Sequence, residues 1–141
     1  MNDFWNKHSE HYLEMAFRAD RFESITNPDG YGKNTGECGD TIEMFLTVRN
    51  DRIQWVALDT DGCMNTRACA NTVAEMVEKK TLENAWKIKT EDVISYLETL
   101  PEESFHCAEL AVGALYLALT NVRMNQKELW KKVYQKNASK L

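Results

Sequence analysis

Two stretches in the first half of the chain have the hydrophobic pattern of paired strands. Between residues 41 and 48 the apolar side chains fall on every second position, at Ile42, Met44, Leu46 and Val48, and a second apolar run covers residues 53–60. A period of two residues indicates a strand with one buried face. Because only the polar segment 49–52 separates the runs, the pattern predicts an antiparallel hairpin. Residues 22–26 form a weaker strand candidate, and the turn-rich segment 27–36 is interpreted as a loop.

The other apolar residues recur every three to four positions, which is the period of an α-helix. A first helix is expected from about Phe4 to Ala19 with Asp3 as its cap, and Thr81 and Thr90 are expected to cap two later helices. A final basic helix should turn Leu129, Trp130 and Val133 inward. The helices after the first are predicted over residues 65–79, 81–86, 90–100, 106–122 and 125–136.

Length and composition bound the class of protein. A chain of 141 residues with 43% hydrophobic and 28% charged residues is expected to form one globular domain. No apolar run approaches the ~20 residues of a membrane span, and the first residues lack the layout of a signal peptide. The expectation is a soluble, cytoplasmic protein without a membrane contact.

Charge is distributed unevenly. The net charge of −5 disfavours binding to nucleic acid. Residues 123–141, called the basic tail below, contain six basic residues and one acidic residue, so the rest of the chain is strongly acidic. The basic tail is interpreted as a solvated amphipathic helix, with a docking surface for an acidic partner as the alternative.

Four cysteines are the candidate chemistry. In a reducing compartment they are buried residues, metal ligands or reactive thiols rather than disulfides. Cys38 precedes the predicted hairpin and Cys63 follows it, so the two should meet, and Cys107 begins a predicted helix. Helix N-termini favour anions, so the pKa values of Cys63 and Cys107 are expected to be lowered. Cys69 lies on a helix face and is predicted to belong to the core, with a spare thiol near the site as the alternative.

Two neighbouring side chains extend this set. Asp40 lies next to Cys38 and His106 next to Cys107. Three thiolates with one carboxylate or imidazole suit tetrahedral zinc or the iron of an iron–sulfur cluster. The spacing alone leaves buried unreactive cysteines and a redox or nucleophilic thiol open as alternatives.

Taken in order, three segments resemble the motifs of the IscU/NifU N-terminal family of iron–sulfur cluster assembly scaffolds. They are Cys38-Gly39-Asp40, Gly62-Cys63 and His106-Cys107-Ala108-Glu109-Leu110-Ala111. The resemblance covers about residues 8–121, including the predicted hairpin. It implies an α+β fold with a three-stranded antiparallel sheet packed on helices, in a single domain (1–141) whose core ends near residue 122 and is followed by an extra C-terminal helix.

The resemblance also implies a function. A cysteine desulfurase would supply sulfur, an iron and electron donor would supply the remainder, and a transient 2Fe–2S cluster would form and pass to apo-proteins. By position, Cys38, Cys63 and Cys107 would accept sulfur and bind the cluster, Asp40 would be a labile ligand, and His106 an assisting ligand. Zinc would bind at the same site when no cluster is present.

Some segments depart from the family pattern. Leu100-Pro101-Glu102-Glu103-Ser104 replaces the segment that a dedicated chaperone grips, which weakens the expectation of that contact. The insertion that marks zinc-dependent SufU sulfur carriers is not seen, which favours the scaffold over a zinc-bound sulfurtransferase. No NifU-type C-terminal cluster domain is seen in the sequence, so a stand-alone scaffold is expected. A structural zinc domain is the third alternative.

Overall fold

The computed structural model describes residues 7–138 and contains one antiparallel sheet with helices packed against it. The predicted cap Asp3 and helix start Phe4 lie outside the described residues. The helices are α1 (Glu10–Phe17), α2 (Met64–Val77), α3 (Leu82–Ala85), α4 (Thr90–Leu97) and α5 (Phe105–Ala138), with a 3-10 turn at Glu102–Ser104. The strands are β1 (Gly30–Thr35), β2 (Thr41–Arg49) and β3 (Arg52–Asp61). The predicted α+β class with three strands is confirmed.

The central hairpin has the predicted strands. β2 and β3 pair antiparallel, with Thr41 opposite Asp61, and the buried side of β2 carries Ile42, Met44 and Leu46. Because Thr41 and Asp61 are paired, the residue before β2 and the residues after β3 lie at the same end of the sheet. The hairpin therefore carries Asp40 to Cys63.

The third strand lies where a loop was expected. β1 pairs with β2 from Gly30 to Thr35, whereas the predicted strand at 22–26 is wrong: Phe22 forms only an isolated bridge with Leu58. A Cβ on Gly30 would lie 2.6 Å from the carbonyl oxygen of Ala118 in α5. The glycines therefore permit close contact between strand and helix, a role that sequence patterns do not distinguish from a turn.

Helices α2 and α5 cover the inner face of the sheet, and α1 packs on α2. Asn71 of α2 donates to the carbonyl oxygens of Met15 at 2.8 Å and Arg18 at 3.0 Å, which satisfies the end of α1. The predicted docking of the first helix is confirmed over its described part, since Tyr12, Met15 and Ala16 are buried.

Two of the short helices differ in detail from the prediction. Thr81 caps α3 by accepting from the Asn84 N–H at 3.1 Å, as expected. Thr90, however, is the first residue of α4; its N-cap is Lys89, whose N–H donates to Asp92 at 2.9 Å. That helix ends at Leu97, where Glu98 takes a φ of 61°, so the predicted end at residue 100 was three residues late.

Helix α5 replaces two predicted helices. It runs without a break through residues 122–125, where neither glycine nor proline interrupts the chain. Leu129, Trp130 and Val133 are 64%, 73% and 48% exposed, so the predicted inward packing is wrong. Over Glu102–Lys136, length and composition would allow a membrane span, but 56% of the most apolar window is buried in the fold, as in a core helix.

Candidate metal centre

Three segments meet at the end of the sheet where β2 begins and β3 ends. Their closest members are Asp40, Cys63 and Cys107, whose candidate ligand atoms all lie within 4.8 Å of one another. Asp40 is half-buried, Cys63 is exposed and Cys107 is only 1% exposed. The group therefore runs from the surface into the first buried layer beneath it.

A tight turn presents Cys38 and Asp40. The N–H of Gly36 donates to the carbonyl oxygen of Asp40 at 2.9 Å, and the N–H of Gly39 donates to Gly36 at 3.0 Å. Gly39 has a φ of +91°, a conformation that glycine adopts without the penalty of a side chain. This turn exposes Cys38 at the rim and directs Asp40 toward Cys63.

His106 lies between Cys38 and the compact group. The Nε2 atom of His106 lies 3.7 Å from the sulfur of Cys38 and 3.7 Å from the sulfur of Cys107. His106 is exposed at the start of α5. The structure thus brings together all five predicted site residues, with Asp40, Cys63 and Cys107 as the compact set and Cys38 and His106 beside it.

Thr66 is a site residue that the sequence analysis did not identify. Its hydroxyl donates to Oδ2 of Asp40 at 2.7 Å and lies 3.8 Å from the sulfur of Cys63 and 3.7 Å from that of Cys107. Cys63 is the N-cap of α2, so Thr66 is the third residue of the helix, a position whose side chain often points back toward the cap. The three-residue separation between Cys63 and Thr66 is the sequence feature from which this contact could have been predicted.

Burial changes the acidity of two thiols. Burial raises the pKa of Cys107, and the neighbouring groups Cys63, Asp40 and Cys38 add to the effect, while the hydrogen bond with Thr66 opposes it. The expected lowering of the Cys107 pKa is therefore wrong, because desolvation of the buried thiol is the largest cause of the shift. Burial also raises the pKa of Cys69, which is fully buried in the core as predicted.

A hydrogen-bonded chain supports the group from behind. The hydroxyl of Tyr12 donates to Asn65 of α2, and Asn65 donates to the Ser104 hydroxyl at 2.8 Å, just before α5. Burial, together with the nearby cysteines, raises the pKa of Tyr12 to about 12. These contacts tie α1 to the two helix starts that carry Cys63 and Cys107.

The donor set fits a thiophilic metal. At about 2.3 Å per Zn–S bond, two ligands of a tetrahedral site lie about 3.8 Å apart. Side chains whose ligand atoms already lie within 4.8 Å of one another need only small movements to reach that spacing. Two thiolates and a carboxylate, with Cys38 or His106 as a fourth ligand, suit zinc or the iron of a cluster.

Comparisons with known proteins place the chain in a family. The family model described as "NifU-like N terminal domain" matches residues 21–129. The "Iron-sulfur cluster assembly scaffold protein IscU 1" of Archaeoglobus fulgidus is 34% identical over 98 residues, which are 69% of this chain and 64% of that protein. The chain thus spans somewhat less than two thirds of that relative's length.

Solved structures show the same fold. The N-terminal part of a nitrogen-fixing NifU-like protein from Brucella abortus superposes with a TM-score of 0.68 at 15% identity, over 82% of this chain and 94% of that one. A putative iron–sulfur cluster assembly scaffold for the SUF system from Fervidobacterium islandicum gives 0.67 at 18% identity, over 81% and 97%. At these identities the likeness concerns the fold alone.

Proposed function

This chain belongs to the family of NifU-like N-terminal domains, and from that membership we propose that it is a scaffold for iron–sulfur cluster assembly. The observation that carries the proposal is the compact group of Asp40, Cys63 and Cys107 with Cys38 and His106 beside it. A scaffold must bind iron and sulfide and later release them. A site half open to solvent is suited to both steps.

The proposed roles follow from the chemistry of each side chain. Cys38, Cys63 and Cys107 accept sulfur and bind the cluster through thiolates, which are soft ligands for iron. Asp40 binds through a carboxylate, a poorer ligand for cluster iron, and so provides the labile contact that allows release. His106 lies between two of the sulfurs and is placed to assist or to substitute for a ligand.

Accessibility divides the cysteines. Cys38 and Cys63 are exposed, so a sulfur donor reaches their thiols directly, whereas Cys107 is nearly buried. In the transfer, a thiolate attacks the outer sulfur of the donor's persulfide; a new S–S bond forms, the donor's S–S bond breaks, and the donor leaves as a thiolate.

The partners belong to the same proposal. The role calls for a cysteine desulfurase, a source of iron and electrons, and apo-proteins that receive a transient 2Fe–2S cluster. Zinc would bind at the same residues when the cluster is absent. The single-domain organisation and the cytoplasmic location stay predictions from the sequence.

Anaerobic reconstitution tests the proposal. The chain is incubated with ferrous iron, cysteine, a desulfurase and dithiothreitol, which reduces the delivered persulfide sulfur to sulfide, and visible absorption is recorded. We expect sulfur-to-iron charge-transfer bands that are lost in Cys38→Ser, Cys63→Ser and Cys107→Ser. Cys69→Ala, which removes a buried thiol of the core, is the matched control and should keep the bands.

Two results would contradict the scaffold. A colourless protein that still accelerates the desulfurase would instead be a zinc-bound sulfurtransferase. A protein that binds zinc but is inert in both assays would be a structural zinc domain. Within a scaffold, Asp40→Ala should change the lifetime of the cluster while the fold is kept.

A further inference from the structure

The Thr66 side chain lies beneath the compact ligand group. It is completely buried, while Cys63 is exposed and Asp40 half-buried. Its hydroxyl is within 3.8 Å of one candidate ligand atom from each of Asp40, Cys63 and Cys107. A single hydroxyl on the inner side of the site thus contacts all three side chains of the compact set.

The three contacts are not equivalent. A hydroxyl carries one proton, and the 2.7 Å contact with Oδ2 of Asp40 has the length of a good O–H···O bond. Hydrogen bonds to a carboxylate are stronger than those between neutral groups. The proton therefore goes to Asp40, which occupies one carboxylate oxygen and leaves the other with free lone pairs.

Gly62 makes room for this contact. A Cβ at residue 62 would lie 2.8 Å from Oγ1 of Thr66 and 3.0 Å from Cγ of Asp40. Both distances are shorter than van der Waals contact, so any larger residue would push the hydroxyl or the carboxylate aside. The Asp40–Thr66 bond thus depends on a second, independent feature of the chain.

We propose that Thr66 is the positioning residue for Asp40: its hydroxyl holds the carboxylate toward Cys63 and Cys107 and so raises the affinity of the site for metal. The inference rests on the ligand role of Asp40 in the proposed function. Removing a side chain that hydrogen-bonds to a metal ligand typically lowers the affinity for the metal by about 10- to 100-fold. Thr66 acts through Asp40 and does not itself bind the metal.

The test is a double-mutant cycle with zinc alone as the probe. Zinc affinity is measured by competition with a chromophoric chelator for the natural chain, Thr66→Val, Asp40→Ala and the double variant. We expect Thr66→Val to weaken zinc about tenfold or more, and Thr66→Ser, which keeps the hydroxyl, to restore most of the affinity. In the Asp40→Ala background Thr66→Val should have no further effect, since the group it positions is gone.

Matched variants separate positioning from general damage. Thr72→Val removes another fully buried hydroxyl of α2, one that bonds to the carbonyl of Ala68 at 2.7 Å, and should leave zinc affinity unchanged. Gly62→Ala should weaken zinc as Thr66→Val does and add little to it, because both break the same contact. Should Thr66→Val fail to fold, Thr66→Ser and Gly62→Ala carry the comparison.

The results distinguish this inference from the proposed function. If Asp40→Ala weakens zinc and Thr66→Val does not, or if Thr66→Val acts equally with and without Asp40, the positioning role is wrong while the ligand set stands. If the natural chain fails to bind zinc, both the ligand set and this inference are wrong. Full coupling in a chain that assembles no cluster would support the inference and refute the scaffold.

Discussion

Replacing Gly32 by alanine tests the packing of β1 against α5. The added Cβ would lie 2.4 Å from the carbonyl oxygen of Ala114 and 2.4 Å from the backbone nitrogen of Ala118. Both atoms belong to the backbone of a helix, so neither can move alone. Because carbon contacts are normally about 3.5–4.0 Å, the helix would have to shift outward by about 1 Å at this point.

The magnitude follows from two opposing effects. Overpacking of this kind costs typically about 1–3 kcal/mol. Alanine also restricts the unfolded chain, which returns about 0.4–1 kcal/mol. The net loss is about 1–2 kcal/mol, which in a domain of this size lowers the unfolding midpoint by roughly 3–8 °C.

Gly36→Ala is the control in the same assay. A Cβ at residue 36 would meet Cδ1 of Leu110 at 3.6 Å, an ordinary contact, and its backbone is not left-handed. It should therefore be neutral or slightly stabilising. Thermal unfolding followed by circular dichroism, with guanidinium unfolding beside it, measures both variants. Equal stability of Gly32→Ala and the natural chain would refute the close approach of β1 and α5.

Two further predictions concern pH and the basic tail. A hydrogen bond from Arg18, with a second from Arg21, lowers the pKa of Glu75 below its ordinary 4.5. The ionised carboxylate therefore stabilises the fold above pH 4.5, and this contribution is lost as the pH falls through the lowered pKa. Glu75→Gln should therefore flatten the fall in unfolding free energy in acid, and an unchanged slope would contradict this. A chain that ends at Asn125 keeps the hydrogen bond from that residue to the carbonyl oxygen of Asp29 and loses mainly exposed side chains. Its melting temperature should therefore match that of the full chain. A drop of many degrees would show that the removed part of the helix packs on the fold.

The hairpin, and with it the meeting of Asp40 and Cys63, was predictable because its signals are local. Alternation along β2 specifies a strand, and two strands joined by a short polar turn bring their outer ends together. The meeting of Asp40 and Cys63 follows from that topology without any knowledge of side-chain packing. Cys107 needed the family resemblance, because nothing nearby in sequence says which helix start will face the hairpin.

The misses share a cause, since each depends on what packs against the residue. Gly30 and Gly32 have the composition of a turn, but their role is to let a helix approach a strand. Thr66 lies in a plain helical pattern, and only the fold places Asp40 above it. Cys107 begins a helix, as expected, yet burial sets its acidity. Trp130 has the sequence spacing of a buried helical residue, but it lies on the part of α5 that extends beyond the core and is exposed.

Helix α5 joins the site to the exposed side chains of the basic tail through one continuous helix. At 1.5 Å per residue, Cys107 and Tyr134 are separated by about 40 Å along its axis. Two proteins of ordinary size can therefore contact the two ends at the same time without competing for surface. A fluorophore attached near Tyr134 would also report the tumbling of the chain while leaving the thiols free, so this end is suited to following complexes that form at the other end.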